Sequence, residues 1–189
     1  VSIESQSQSE YGTGTGIIMT EDGYIITNAH VVAGADEVRV ALSNNSVLQA
    51  SLVGFDADED LAVLKVDASG LTPAEFGDSA ALRIGDPVAA IGDPLGYRST
   101  ITDGIISALD REVEVDGTTM VLIQTSAAIN FGNSGGALIN QYGQVVGVTT
   151  IKIVTEDGSA EALGFAIPTT RVKYVVDRLI DGQVIHTGV

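Results

Sequence analysis

The chain has 189 residues, with 9 basic side chains against 25 acidic ones, a formal net charge of −16 and no cysteine or tryptophan. A chain of this length buries roughly 70% of the surface it exposes when unfolded, and 44% apolar residues with only 18% charged ones exclude intrinsic disorder. Zero cysteines exclude disulfide frameworks, Cys-ligated zinc and thiol catalysis, and the acidic balance excludes electrostatic capture of nucleic acid or anionic lipid.

Along the chain, the N-terminus comes first. The opening residues VSIESQSQSE are polar and linker-like, and the start at Val1 rather than Met reads as a mature or trimmed product, with which any targeting segment would have been lost. No basic stretch followed by an apolar one marks a signal peptide, and no run of 18 apolar residues could span a membrane as a helix. From Gly12 to Pro168 the pattern is of short Val-, Ile- and Thr-rich stretches broken by turn residues. Strands are expected at Gly16–Met19, Tyr24–Thr27, Glu37–Leu42, Val47–Phe55, Leu61–Val66, Val88–Ile91, Ile101–Leu109, Met120–Thr125, Ala137–Ile139 and Val145–Ile153. Glu21-Asp22-Gly23 and Asn140-Gln141-Tyr142-Gly143 read as hairpin turns, with glycine supplying a positive φ. So many short strands argue for an all-β antiparallel sandwich or barrel. The stretch 86–102 holds two of the four prolines and lies midway, where it could join two small barrels with a cleft between them. After Pro168 the period changes. Val172, Val175, Val176, Leu179 and Ile180 fall at helical spacing, with Thr169 or Thr170 placed to cap the start and Gly182 after the end.

Without cysteine, the nucleophile candidates are serine and threonine. Ser134 stands out in Gly132-Asn133-Ser134-Gly135-Gly136, where flanking glycines permit a sharp turn, close substrate approach and N–H groups aimed at one point. Taken alone, the stretch reads as readily as a Gly-rich turn with an ordinary surface serine. There are two histidines. His30 follows a strand in Thr27-Asn28-Ala29-His30-Val31-Val32, where a half-buried, hydrogen-bonded ring is the plainer reading; His186 lies in a polar tail and reads as solvated. An acid that fixes an imidazole tautomer is best sought at Asp60, the last acid before an apolar strand. Asp56, Asp58 and Glu59 read as a solvated acidic turn, and a calcium loop is the weaker reading because Leu61 and Asp67 stand where the EF-hand pattern needs Gly and Glu. A Gly-x-Ser-x-Gly elbow would require the order Ser, acid, His and a helix after Ser134; the order here is His30, Asp60, Ser134, and the following residues alternate as strand and turn.

Together these segments resemble the trypsin-like protease domain of the HtrA/Deg family of serine proteases. The resemblance rests on Thr27-Asn28-Ala29-His30-Val31-Val32, on Asp60-Leu61-Ala62-Val63-Leu64-Lys65, and on Ala127-Ala128-Ile129-Asn130 followed by Gly132 to Leu138. It is supported by Gly14-Thr15-Gly16-Ile17-Ile18 and Gly164-Phe165-Ala166-Ile167-Pro168. It implies two six-stranded antiparallel barrels of chymotrypsin/trypsin type with a C-terminal helix. Residues 1–11 would form a linker or assembly segment, barrel one would run over about 12–92, barrel two over about 98–168 and the helix over about 169–181. Residues 183–189 would lead toward a PDZ domain that lies outside this chain.

The resemblance also implies roles. His30 would be the general base, Ser134 the nucleophile and Asp60 the residue that orients His30, with no metal and no cofactor. The backbone N–H groups of Gly132, Asn133 and Ser134 would line the oxyanion hole. Ile129, Lys152, Ile153 and Leu163 would line a small apolar pocket for the side chain before the cut. Ser126 and Phe131 depart from the family's usual Asp and Pro, and Lys152 departs from an apolar pocket. The implied partners are unfolded polypeptides, with a homotrimer formed through N-terminal aromatic residues, of which Tyr11 is the candidate. The implied location is extracytoplasmic, with any membrane anchor lying outside this chain. A chaperone-like or regulatory binding module of the same fold, with an inactive resting site, is the alternative.

Overall fold

Hydrophobic alternation folds the first third of the chain into one curled antiparallel sheet. The computed structural model describes residues 1–93, 100–115, 117–130, 132–150 and 164–181. The first sheet contains β1 (Ser2–Gln6), β2 (Tyr11–Thr15), β3 (Ile17–Ile18), β4 (Tyr24–Thr27), β5 (Glu37–Ala41), β6 (Val47–Asp56) and β7 (Leu61–Val66). Its order is β2-β1-β5-β6-β7-β4-β3. Only Gly16 separates β2 from β3, so the two edge strands are halves of one bent strand and the sheet curls round on itself. A side chain at Gly16 would lie within 2.8 Å of Ile3 and Ile25, which fill the inside of the bend. Ile3, Ile25, Val40, Ala62, Leu64 and Val66 form that barrel's own core, each fully buried.

The second sheet is a closed antiparallel barrel, ordered β10-β13-β12-β11-β8-β9. Its strands are β8 (Pro87–Gly92), β9 (Thr100–Val115), β10 (Thr118–Thr125), β11 (Ala137–Asn140), β12 (Val145–Thr150) and β13 (Gly164–Pro168). β9 and β10 form a long hairpin whose end reaches the first barrel, where Val115 and Met120 are buried with Ile17, Ile26, Leu61 and Val63. The same cluster takes in helix α2 (Thr169–Ile180) through Val172, Val175, Val176 and Leu179. Burying four such side chains stabilises by about 1.5–3 kcal/mol each, so the helix acts as a plug for the seam between barrels. The hairpin turns expected at Gly23 and Gly143 are present, with φ of 102° and 78°.

Three boundaries differ from the sequence reading. Residues 1–11 do not form a linker: Ser2–Gln6 is a paired strand between β2 and β5. Its serines look polar in composition, yet Ser5 Oγ donates to the Val31 carbonyl at 2.7 Å and Ser2 Oγ to Asp93 at 2.6 Å, which satisfies them on burial. Barrel one ends at Val66, not near 92, because β8 pairs with β9 and β11. The link between barrels is therefore 67–86, which carries one turn of 3-10 helix at Ser79–Ala81. Finally, Pro168 occupies the N-cap position of α2 without a side-chain cap. Thr169 instead donates its hydroxyl to the Gly77 carbonyl at 2.9 Å and accepts the Ser79 N–H at 3.1 Å, tying the helix start to that link.

Candidate active site

The site forms where three turns meet across the seam. His30 lies on α1 (Ala29–Val32), a single helical turn following β4. Asp60 ends the turn between β6 and β7. Its backbone has φ 51°, uncommon for a residue with a side chain, though Asp is among those that tolerate it. The two are joined closely. Both Asp60 carboxylate oxygens lie 2.9 Å from His30 Nδ1, and Oδ1 also accepts the His30 backbone N–H at 3.0 Å. Asp60 is fully buried, whereas 32% of the His30 side chain is exposed. With Nδ1–H donated to the carboxylate, Nε2 is the ring nitrogen left to accept a proton.

Asp60 has two further supports. Thr150, at the end of β12, donates its hydroxyl to Oδ2 at 2.9 Å, and Asn28 Nδ2 donates to the Asp60 main-chain carbonyl at 2.9 Å. A buried carboxylate without such donors would carry a desolvation cost of several kcal/mol. The neighbouring acids do not form a solvated turn or a metal loop. Asp56 is 3% exposed, and its Oδ1 accepts the N–H groups of Asp58 and Glu59 at 3.0 Å. Asp58 faces Thr118, and Glu59 pairs with Arg171. Among the described residues no cluster of three acids or histidines could hold a metal ion.

Ser134 sits in a glycine-rich turn pressed between the barrels and is 6% exposed. Gly135 has φ 81°, and a Cβ there would lie 2.2 Å from the Thr15 carbonyl oxygen and 2.3 Å from Thr27 Oγ1. Only glycine lets the loop approach β2 this closely. Two buried threonines then fix the loop. Thr15 donates its N–H to the Ser134 carbonyl at 2.8 Å and its hydroxyl to the Gly132 carbonyl at 2.7 Å, while that hydroxyl accepts the Asp93 N–H at 2.8 Å. From the other side, Thr149 Oγ1 donates to the Asn133 carbonyl at 2.6 Å, and its carbonyl accepts the Gly135 N–H at 2.9 Å.

The three N–H groups expected to converge are not equivalent. That of Asn133 is already donated to the Asn130 carbonyl at 3.0 Å, a tight turn contact that removes it from any oxyanion hole in this arrangement. Among the described residues none accepts from the Gly132 or Ser134 N–H, and no hydrogen bond joins His30 Nε2 to Ser134 Oγ. Of the expected pocket residues, Ile129 is half-buried against Gly164, where an added Cβ would lie 2.6 Å from its side chain. Lys152, Ile153 and Leu163 lie outside the described residues, as do Phe131 and His186. Ser126 is exposed and accepts the Ile105 N–H at 3.0 Å, a strand-end role.

Thr15, Thr149 and Thr150 are the residues that sequence reasoning missed as parts of the site. Threonine inside a Val- and Ile-rich strand reads as an ordinary strand former. The available signal was burial without an apolar side chain, since Thr149 and Thr150 lie in a strand that is buried at all six positions.

The paired imidazole and carboxylate lie on the first barrel and the glycine-flanked serine on the second, an arrangement of the trypsin-like class. The chain belongs to the trypsin-like peptidase domain family, whose model matches residues 14–148. Within that family its relatives are of the HtrA/Deg kind. It is 47% identical over 182 residues to a probable periplasmic serine endoprotease, DegP-like, of Halomonas elongata, covering 96% of this chain and 38% of that protein. It is 50% identical over 200 residues to the serine protease Do-like HtrB of Bacillus subtilis (strain 168), covering 94% of this chain and 43% of the relative. The solved structure of the HtrA-type protease AlgW with a tripeptide superposes with a TM-score of 0.90 at 41% identity, over 97% of this chain and 60% of that one. The chain thus spans about two fifths of the length of the curated relatives it matches.

Proposed function

We propose that this chain is the catalytic domain of a serine endopeptidase that cuts unfolded or damaged polypeptides outside the cytoplasm. The observation that carries the reading is the buried Asp60 carboxylate held at 2.9 Å from His30 Nδ1 and aimed by Thr150. In this mechanism His30 Nε2 takes the proton from Ser134 Oγ as the oxygen attacks the peptide carbonyl carbon. Asp60 remains a carboxylate and stabilises the imidazolium formed. The Gly132 and Ser134 N–H groups receive the negative charge that develops on the carbonyl oxygen. His30 then passes its proton to the leaving amine, giving an acyl-enzyme, and a water molecule repeats the sequence to release the acid.

Ile129, the described residue of the expected pocket, is half-buried and apolar, which supports a small or medium apolar side chain before the cut. Tyr11, 62% exposed beside β1, supports assembly as a homotrimer through the N-terminal strands. The word periplasmic in the names of relatives supports an extracytoplasmic site of action. A second reading, a binding module whose site rests inactive, draws on the missing hydrogen bond between His30 and Ser134.

A fluorophosphonate label on Ser134 and degradation of unfolded casein test the proposal. Wild type should be labelled and should degrade casein, and Ser134→Ala should do neither. Equal slow loss of casein with both proteins and no labelling would refute the protease reading and leave the binding module.

A further inference from the structure

The turn that delivers Asp60 is held from outside by two other elements, and one of them is charged. Arg171, in the first turn of α2, pairs through Nη2 with Glu59 Oε1, across 112 positions of chain. Glu59 immediately precedes Asp60, whose left-handed φ of 51° sets the direction in which its carboxylate leaves the backbone. A residue in that region persists when its surroundings over-determine it. The surroundings here are named. Asp56 caps the turn from within at 3.0 Å, Thr118 on the β9–β10 hairpin donates to Asp58 at 3.4 Å, and Arg171 fixes Glu59.

Arg171 is also held by contacts apart from Glu59. The Arg171 guanidinium lies over the Tyr174 ring at 5.4 Å. The start of α2 is tied down by Thr169 on the Gly77 carbonyl at 2.9 Å and by the Thr170 N–H on Ser79 Oγ at 3.1 Å. Arg171 is also one of only nine basic side chains facing 25 acidic ones, and Glu59 beside it pushes its guanidinium further above the ordinary value. Arg178 stacks on the same Tyr174 ring at 5.2 Å and donates to its hydroxyl, while no bond takes it to the acidic turn.

We infer that Arg171 and Glu59 are positioning residues: their ion pair couples the C-terminal helix to the orientation of Asp60, and through Asp60 to the alignment of His30. The inference rests on the triad reading above. Its chemistry requires no contact between Arg171 and substrate, so it acts on turnover and not on substrate affinity.

The experiment uses the full chain with Arg171→Ala, Glu59→Gln, the double variant, Arg171→Lys and Arg178→Ala. Hydrolysis of a short chromogenic peptide ester is followed, together with the far-downfield proton resonance of His30 Nδ1–H. Exposed pairs contribute little individually, so kcat should fall about threefold in each single variant with KM unchanged. The double variant should be no slower than either single one, Arg171→Lys should recover most of the loss, and Arg178→Ala should match wild type. The Nδ1–H resonance should move or broaden in Arg171→Ala and stay in place in Arg178→Ala. An unchanged resonance and kcat in Arg171→Ala, or single losses that multiply in the double variant, would overturn the inference while Ser134→Ala still reports on the triad. If wild type does not turn the ester over, the protease reading fails, and the resonance alone still decides whether Arg171 orients Asp60.

Discussion

Replacing Thr15 by valine isolates the hydroxyl that fastens the serine loop to the first barrel. The two side chains are close to isosteric, so the change opens almost no cavity. It does remove the donor that reaches the Gly132 carbonyl at 2.7 Å and the acceptor that receives the Asp93 N–H at 2.8 Å, in a residue only 4% exposed. Each buried polar group deprived of its partner costs about 1–3 kcal/mol, so the pair should destabilise the domain by about 3 kcal/mol or more. For a chain of this length about 1 kcal/mol shifts Tm by about 2–4 °C, which puts the expected fall at about 6–12 °C. Thr15→Ser keeps the hydroxyl and deletes one methyl, for about 1 kcal/mol, and should lose only a few degrees. Activity should separate them further. In the proposed mechanism a loop free to drift would carry the Gly132 and Ser134 N–H groups off the developing oxyanion, where losing one donor outright costs about 10²–10³ in rate. A partial misplacement should cost about tenfold in kcat for the valine variant and little for the serine one. Thermal melts and ester hydrolysis, measured well below both midpoints, provide the test. A valine variant that melts and turns over like the serine variant would show that the hydroxyl does not hold the loop.

Two further predictions follow the same logic. Thr150→Val withdraws a buried donor from the Asp60 carboxylate, where hydrogen bonds to charge contribute about 1.5–3 kcal/mol; Tm and kcat should both fall, and an unchanged kcat would mean Asp60 needs no support from β12. Ile3→Ala tests the strand that composition disguised: a fully buried side chain should cost about 2–5 kcal/mol in a denaturant titration, whereas a linker residue would cost nothing measurable.

The parts of this molecule that announce themselves in sequence are those with a period or a rare residue. Helix α2 repeats its apolar residues every three to four positions, and four of the five expected ones, Val172, Val175, Val176 and Leu179, are buried, while Ile180 in the last turn faces out. Two histidines and no cysteine narrow the search for a base and a nucleophile to a few positions. The parts that hide are decided by long-range contacts. Ser2–Gln6 is polar by count, and only its partners on β5, Val31 and Asp93 make burial affordable. The strand at Val88–Ile91 is legible, but its barrel is not: it lies in the stretch 86–102 that reads as the junction, and only its pairing with β9 and β11 places Pro87–Gly92 in the second barrel. Likewise Asn133 shares its glycine-rich neighbourhood with Ser134, but which N–H remains free depends on the Asn130 carbonyl, a matter of backbone geometry that no side chain encodes.

The division of the site across the seam bears on how such a chain could be made safely. His30 and Asp60 belong to the barrel that emerges first during synthesis, and Ser134 to the one that emerges second. The bonds that unite them, from Thr15 to the serine loop and from Thr150 to Asp60, all cross between the two. In the proposed mechanism a half-finished molecule would therefore possess the base without the nucleophile. Its own unfolded second half, the kind of polypeptide it is proposed to cut, is protected from self-digestion until both barrels have closed and docked.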